Sequence, residues 1–189
     1  MAIDATYYGT LDEANAYFDM RLHEYAWSNA AVADRPRALW AATQIIDTLN
    51  FKGNKHTVYV LLQVYGLTEI PPPAPTSCSA VILPTQEQII EAELAQVLEF
   101  PRGADVLVPE AIRKASYELA HTLLDGKDPE MELENLGIVS QGYASVRTTY
   151  SRTHVPVEHI VNGVPSAAAW RWLQPFLRDD DAIRLSRVS

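Results

Sequence analysis

One long amphipathic segment constrains this chain more than any other feature. Between Val108 and Gly126 a helix-start signal, a helical period and a stop signal agree. Pro109 suits the first helical turn, where its missing N–H costs no hydrogen bond, and glycine is typical of a helix end. The apolar residues recur at helical spacing, which predicts one buried face and therefore packing partners elsewhere in the chain. The predicted core positions are Ile112, Ala115, Leu119 and Leu123, and the residues expected to point away from the core are Glu110, Arg113, Lys114 and Glu118.

Size and charge limit the class of protein. The chain has 189 residues, of which 48% are hydrophobic and 21% charged, as in a globular domain that buries a sizeable core. Its net charge of −9 repels phosphate backbones, which disfavours nonspecific nucleic-acid binding. A single cysteine excludes an intramolecular disulfide, and the first residues lack a signal-peptide pattern, so we expect synthesis in a reducing cytosol. No apolar run approaches the ~20 residues that a membrane span needs, so we expect a soluble protein.

Further helix-start signals lie on both sides of the central segment. Two of them are capping boxes, in which a threonine and a Glu or Gln three residues later satisfy each other's backbone N–H groups. The resulting predictions are a helix over about 10–26 from Thr10 and Glu13, a second from Asp34 to about Leu49, and a third from Thr85 and Gln88 up to Phe100. A last helix is expected to start at Val164, Pro165 and Ser166. Trp170, Leu173 and Leu177 share one side of it, and Pro175 is expected to kink or shorten it.

The remaining segments favour other structure. Residues 57–65, TVYVLLQVY, are β-branched and aromatic, so we favour a short strand, although a buried helix has the same composition. The prolines between 71 and 75 favour an extended connection, and residues 127–135 an acidic loop. From 137 to 150, β-favouring residues flank Gly142, which predicts a hairpin with its bend near that glycine. The predicted fold is mainly α, a small helical bundle with a β-hairpin, an inserted loop region and an extended C-terminal arm.

No catalytic or cofactor-binding pattern is found in the sequence. The HEYAW segment at His23 lacks the second histidine of a zinc-protease helix, and no phosphate loop or GxGxxG is present. Cys78 has no adjacent histidine and is interpreted as a surface or packing thiol. The acidic residues from 125 to 134 do not match the spacing of a calcium loop, and Asp179 to Asp181 are interpreted as a solvated helix end. We therefore predict no catalytic residue, metal or cofactor, while a small enzyme built from scattered histidines and carboxylates stays open.

The order of these pieces resembles a known family. The segments that carry the resemblance are YGTLDEANAYFDMRL, RALWAATQIIDTLNFKG, the FPRG turn, VPEAIRKASYELAHTLLDG and GIVSQGYASVRTTYS. Together they are similar to tailed-bacteriophage head-to-tail adaptor proteins, a family that is also labelled DnaT-like single-stranded-DNA-binding proteins. The resemblance covers about residues 6–55 and 93–189, and the chain departs from it at about 56–92, which has the character of an insertion.

The resemblance implies a structural protein of the virion neck, made in the host cytoplasm. Such adaptors form a ring, typically of twelve copies, beneath the portal and receive the tail tube or nozzle, while genomic DNA passes through without specific binding. Mapped onto this chain, residues 1–168 would be the helical adaptor domain and 169–189 the docking helix end and arm. The implied portal-docking residues are Trp172, Phe176, Ile183, Arg184, Leu185, Arg187 and Val188.

Some of these assignments have alternatives. The AIRLSRVS end alternates apolar and basic residues, so it could add as a strand to a partner's edge, or it could be a frayed terminus. Trp172 and Phe176 lie around the helix from Trp170, and packing against a second chain is as well supported for them as packing within the core. A single-stranded-DNA-binding accessory protein is the second hypothesis, and its candidate contacts are Tyr143, Arg147, Tyr150 and Arg152. Acidic character favours the adaptor hypothesis, because a channel lined by basic residues would hold the DNA that must pass through it.

Overall fold

The computed structural model describes residues 6–67, 83–136, 140–143, 146–149 and 158–178. The chain is mainly helical, as the sequence predicts. Within the described ranges the helices are α1 (Leu11–Asp19), α2 (Tyr25–Ser28), α3 (Asp34–Asp47), α4 (His56–Val64), α5 (Gln86–Ala95), α6 (Glu110–Leu124), α7 (Pro129–Leu136), α8 (Glu158–Val161) and α9 (Ala167–Leu173), the last continuing into a 3₁₀ turn, Gln174–Phe176.

The chain divides into two compact units. Unit 1 holds the residues up to Phe51 and those from Glu110 onward, and unit 2 holds Lys52–Pro109. The insertion expected at 56–92 therefore lies within unit 2. The domain boundary expected between residues 168 and 169 falls inside α9.

The predicted central helix organises unit 1. Helix α6 contacts α3, α9 and α2, and Ile112, Ala115 and Leu119 are fully buried, as predicted, whereas Leu123 is half-buried. The expectation that Glu118 points away from the core is wrong, because this residue is only 5% exposed. A helix with neighbours on several sides buries more than one face, and in α6 every residue from 115 to 120 is buried.

Helix α1 is shorter than predicted. Its capping box forms, but the helix ends at Asp19 and not near residue 26. The chain turns there because the Arg21 side chain reaches back to α6 and His23 adopts a left-handed conformation, with φ of 61°, that a helix does not allow. Leu22 and Tyr25, which the helical period had placed on the buried face, are 83% and 68% exposed.

Helix α5 is also shorter than predicted. The capping box at its start is complete, yet the helix ends at Ala95 and does not continue to Phe100. Gln96 is extended, and its side-chain amide donates to the carbonyl oxygens of Leu98 and Pro101, both at 2.8 Å. These bonds hold the chain in a turn after Ala95, whereas the spacing of the apolar residues alone predicted that the helix continues.

The strand predicted at 57–65 was wrong, because these residues form α4. Helix α4 contacts α5 within unit 2, and Val58 is its buried residue. A short segment of β-branched and aromatic residues without polar alternation fits a packed helix as well as a strand. The amino-acid composition alone does not distinguish a helix from a strand here.

Hydrogen bonds join the beginning and the end of unit 2. Lys55 and Arg102 form an isolated antiparallel bridge, and the N–H of Gly103 donates to the Asn54 carbonyl at 2.9 Å. The Arg102 Nε donates to the Lys52 carbonyl at 3.0 Å. The FKGN turn and the FPRG turn lie far apart in the sequence, but these bonds join them. We call the joined residues, 52–55 and 102–103, the base of unit 2.

The acidic loop predicted at 127–135 is largely helix α7. Pro129 is its first residue, and the Asp128 carboxylate accepts the N–H of Glu130 at 3.0 Å. Acidic residues in a first helical turn are favoured by the helix dipole, so the same charges that indicated a solvated loop stabilise a helix start.

The β-rich segment contains two short strands whose backbone alone is described. Ser140–Tyr143 (β1) and Val146–Thr149 (β2) pair antiparallel. Gly142 lies within β1, opposite Arg147, so the hairpin as predicted, with its bend near that glycine, is not supported. The proline-rich segment at 71–75 and Cys78 lie outside the described residues.

Candidate functional site

The last helix is held firmly against the core of unit 1. The Ser166 hydroxyl accepts the N–H of Ala169 at 3.2 Å and caps the start of α9, within the predicted start at residues 164–166. Trp170 and Leu173 are 7% and 0% exposed, and α9 contacts α6. Pro175 lies in the 3₁₀ turn that replaces the α-helix after Leu173, which confirms its predicted effect.

The chain beyond α9 is fastened to the end of α3. Leu177 forms an isolated antiparallel bridge with Phe51, and the N–H of Arg178 donates to the Asn50 carbonyl at 2.9 Å. Arg178 is the last described residue before the C-terminal segment. That segment therefore starts from a fixed position on the core of unit 1.

Two of the expected docking residues are described. Trp172 is 40% exposed on α9, and the Lys114 ammonium lies 5.2 Å from its ring centroid, within range of a cation–π contact. Lys114 also pairs with Glu110 at 2.8 Å, and this pairing holds the pKa of the Glu110 carboxyl below its usual value. Phe176 is half-buried. The other docking candidates, Ile183, Arg184, Leu185, Arg187 and Val188, lie outside the described residues and stay predictions.

A buried ion cluster, which the sequence did not predict, joins α1 and the residues after it to α6. The Arg21 Nε and Nη2 donate to the two oxygens of Glu118, both at 2.8 Å, and the Tyr17 hydroxyl donates to Glu118 Oε1 at 2.5 Å. The Glu118 side chain is 7% exposed and that of Arg21 25%. Burial and the adjacent Glu118 carboxylate raise the pKa of Tyr17, so its hydroxyl stays protonated and continues to donate.

His121 lies at the edge of this cluster. Its Nε2 is 3.3 Å from Arg21 Nη1, and the same Nη1 donates to the His23 carbonyl at 3.0 Å. Because a guanidinium can only donate, a hydrogen bond between these atoms requires Nε2 as the acceptor, which is the neutral form of the ring. Burial, with the Arg21 charge next in importance, lowers the pKa of His121. Its ring stacks on that of Phe18 at 5.6 Å between centroids.

A second, more exposed network connects α1 with α6 one turn earlier. The Arg113 Nη1 donates to Glu13 Oε1 at 2.6 Å, and the Tyr117 hydroxyl donates to Glu13 Oε2 at 3.1 Å. Glu13 is also the capping-box residue of α1. Desolvation and the Glu13 charge raise the pKa of Tyr117. Both networks are structural in character, because each charge is matched by a partner from the neighbouring element.

An apolar cleft lies between α4 and α5 in unit 2. Its volume is about 540 Å³, and Val60, Leu61, Val64, Ala92 and Ala95 line it together with Glu91. Two clefts in unit 1, of about 510 and 300 Å³, are lined by more polar residues. In the part of the chain that the structure describes, no group of three or more His, Cys, Asp or Glu could hold a metal ion. Nor is any helix there long and apolar enough to cross a membrane.

Comparison with protein-family models, with curated proteins and with solved structures gave no match.

Proposed function

We propose that this chain is a structural adaptor without enzymatic activity. It assembles with copies of itself into a ring, of twelve by the resemblance, beneath the portal of a tailed phage and joins the portal to the tail tube or nozzle. Residues 169–189 dock on the portal. Genomic DNA passes through the ring without specific binding.

The anchored base of the C-terminal segment is the observation that carries this proposal. Helix α9 is buried against α6, and the chain after it is hydrogen-bonded to Asn50 at the end of α3. A docking segment that starts from a fixed point loses less conformational entropy on binding than one that starts from a mobile end. Trp172 lies exposed at this base, and tryptophan is among the residues that most often dominate interface energy.

The charge of the chain supports the same proposal. A net charge of −9 disfavours retention of a phosphate backbone, because binding of nucleic acid depends on neutralising phosphates with Lys and Arg. A ring through which DNA must slide benefits from such repulsion.

Truncation after Arg178 tests the docking assignment. The shortened chain keeps α9 and the whole described core of unit 1, so its circular dichroism and urea midpoint should match those of the full chain. Binding to purified portal, measured by co-sedimentation and by the appearance of rings in electron micrographs, should be lost.

A matched pair of tryptophan substitutions refines the test. Trp172→Ala should weaken portal binding by roughly tenfold or more, which corresponds to about 1.4 kcal/mol or more. Trp40→Ala, on α3 and similarly exposed at 45% against 40%, should leave binding unchanged. Full binding by the truncated chain, or an equal loss in both alanine variants, would contradict the docking assignment.

The adaptor proposal has its own tests. Absence of the protein from purified phage particles, or turnover of a substrate by the purified chain, would contradict it. Salt-dependent binding to labelled single-stranded DNA would favour the accessory-protein hypothesis in its place.

A further inference from the structure

The segment between α1 and α2, residues 20–24 and hereafter the connector, is bonded to α6 through the Arg21 side chain. The Arg21 guanidinium donates to both oxygens of Glu118. Three of the connector's residues, Met20, Leu22 and His23, are exposed, and Glu24 is half-buried. The connector's position therefore depends on where the Arg21 guanidinium finds its acceptors.

Arg21 has three acceptor residues, and one of them is the imidazole of His121, whose pKa is lowered by burial and by the Arg21 charge. Glu118 accepts two hydrogen bonds, the His23 carbonyl accepts one, and His121 Nε2 lies 3.3 Å from Nη1. The charged groups that act on His121 are Arg21 from the connector, Glu118 from the same face of α6, and Asp125 just beyond the end of α6. The aromatic ring of Phe18 covers His121 from α1.

We infer that the connector is an acid-sensitive latch that opens when His121 takes up a proton. Protonation removes the lone pair on Nε2, so Arg21 loses an acceptor. It also places a second positive charge about 3.3 Å from the guanidinium, beside a single Glu118 carboxylate that both cations then share. Arg21 moves away from α6, and the connector moves with it. The surface that carries Met20 and Leu22 is thereby rearranged at acidic pH.

The direction of the pH dependence follows from the environment of His121. Burial and the Arg21 charge lower the folded-state pKa of His121 below its ordinary value of 6.5. The folded state then binds fewer protons than the unfolded state. The closed latch is fully stable above about pH 6.5, and that stability is lost as the pH falls from there through the folded-state pKa.

Amide hydrogen exchange of peptides that cover the connector tests the inference. After correction for intrinsic exchange, protection should fall about twofold or more between about pH 7.5 and about pH 5.5, because protonation of His121 favours the open connector. Peptides from α4 and α5 in unit 2 serve as the internal reference and should keep their protection.

Three histidine variants separate His121 from other titrating groups. His121→Gln should abolish the acid response, because its side chain stays neutral and its carbonyl oxygen can accept from Arg21. His23→Asn removes the connector's own histidine and tolerates positive φ, so this variant should respond like the native chain. His159→Gln, on α8, should also respond normally.

Several outcomes would overturn the inference. A native chain without the acid response, a His121→Gln variant that retains it, or a His23→Asn variant that loses it would each do so. Nuclear magnetic resonance titration of the native chain does not depend on any variant folding, and a His121 pKa at or above 6.5 would also refute the latch.

Discussion

Replacing Arg21 with methionine should destabilise unit 1 much more than the loss of a surface ion pair. In the native chain the Glu118 carboxylate accepts hydrogen bonds from Arg21 Nε, Arg21 Nη2 and the Tyr17 hydroxyl. The substitution keeps an unbranched apolar stem but removes two of these three donors. Glu118, whose side chain is 7% exposed, is then left with Tyr17 as its remaining donor in this cluster.

The expected size of the effect follows from the burial of the pair. Removing one partner of a fully buried ion pair costs about 3–5 kcal/mol, whereas an exposed pair contributes about 0–1 kcal/mol. The Arg21 side chain is 25% exposed, so water can enter part of the vacated space. We therefore expect a loss of about 2–3 kcal/mol in the free energy of unfolding.

Urea unfolding, monitored by tryptophan fluorescence, measures this loss in unit 1. The four tryptophans, at positions 27, 40, 170 and 172, all belong to unit 1, so unit 2 contributes no tryptophan signal. Arg37→Met is the matched control, because Arg37 pairs with Asp34 on the exposed surface of α3. This control should cost less than about 0.5 kcal/mol.

A double-mutant cycle then tests the cause. Glu118→Gln removes the buried charge, so Arg21→Met should cost about 1–2 kcal/mol less in that background than in the native chain. Equal costs for Arg21→Met and Arg37→Met, or additive effects in the cycle, would refute the buried ion pair as a contributor to stability.

Two further substitutions test the core of unit 1. Leu119→Asp places an unpaired charge at a fully buried position, at a cost of several kcal/mol, and should unfold unit 1. Helical circular dichroism should fall by the contribution of unit 1, whereas Leu22→Asp should leave it unchanged. A folded Leu119→Asp protein would contradict the placement of α6. Gly9→Ala would put its Cβ 2.1 Å from the Tyr117 hydroxyl, whereas Gly126→Ala, also at positive φ, meets no atom within 4 Å. The Gly9 variant should therefore have the lower urea midpoint, and equal midpoints would contradict the Tyr117 contact.

The features that the sequence predicted correctly are those that a few neighbouring residues determine. The capping boxes at Thr10 and Thr85 each depend on residues three apart, and both form. The buried face of α6 follows from its helical period. The burial of Trp170 and the exposure of Trp172 follow from the same periodicity in α9.

The features that were missed depend on distant partners. Glu118 meets Arg21 across 97 residues of sequence, and no local pattern relates the two. The small residues around Glu118, Ala115, Ser116 and Ala120, were the available signal, because small side chains on several faces of a helix indicate close neighbours all round. Helix α4 was missed because its apolar composition fits two structures, and packing against α5 decides between them.

The hydrogen-bonded base of unit 2 has a consequence for how such a chain can vary. Because Asn54 is bonded to Gly103 and Lys55 bridges to Arg102, the two ends of the 46 residues between them, 56–101, are brought together by contacts of the base. The entropy of closing a loop rises only slowly with its length. The residues between the two sides of the base can therefore become longer, become shorter or be replaced by a short turn while the base is kept. Variants of this protein can acquire new contacts in this stretch with little disturbance to the helices of unit 1.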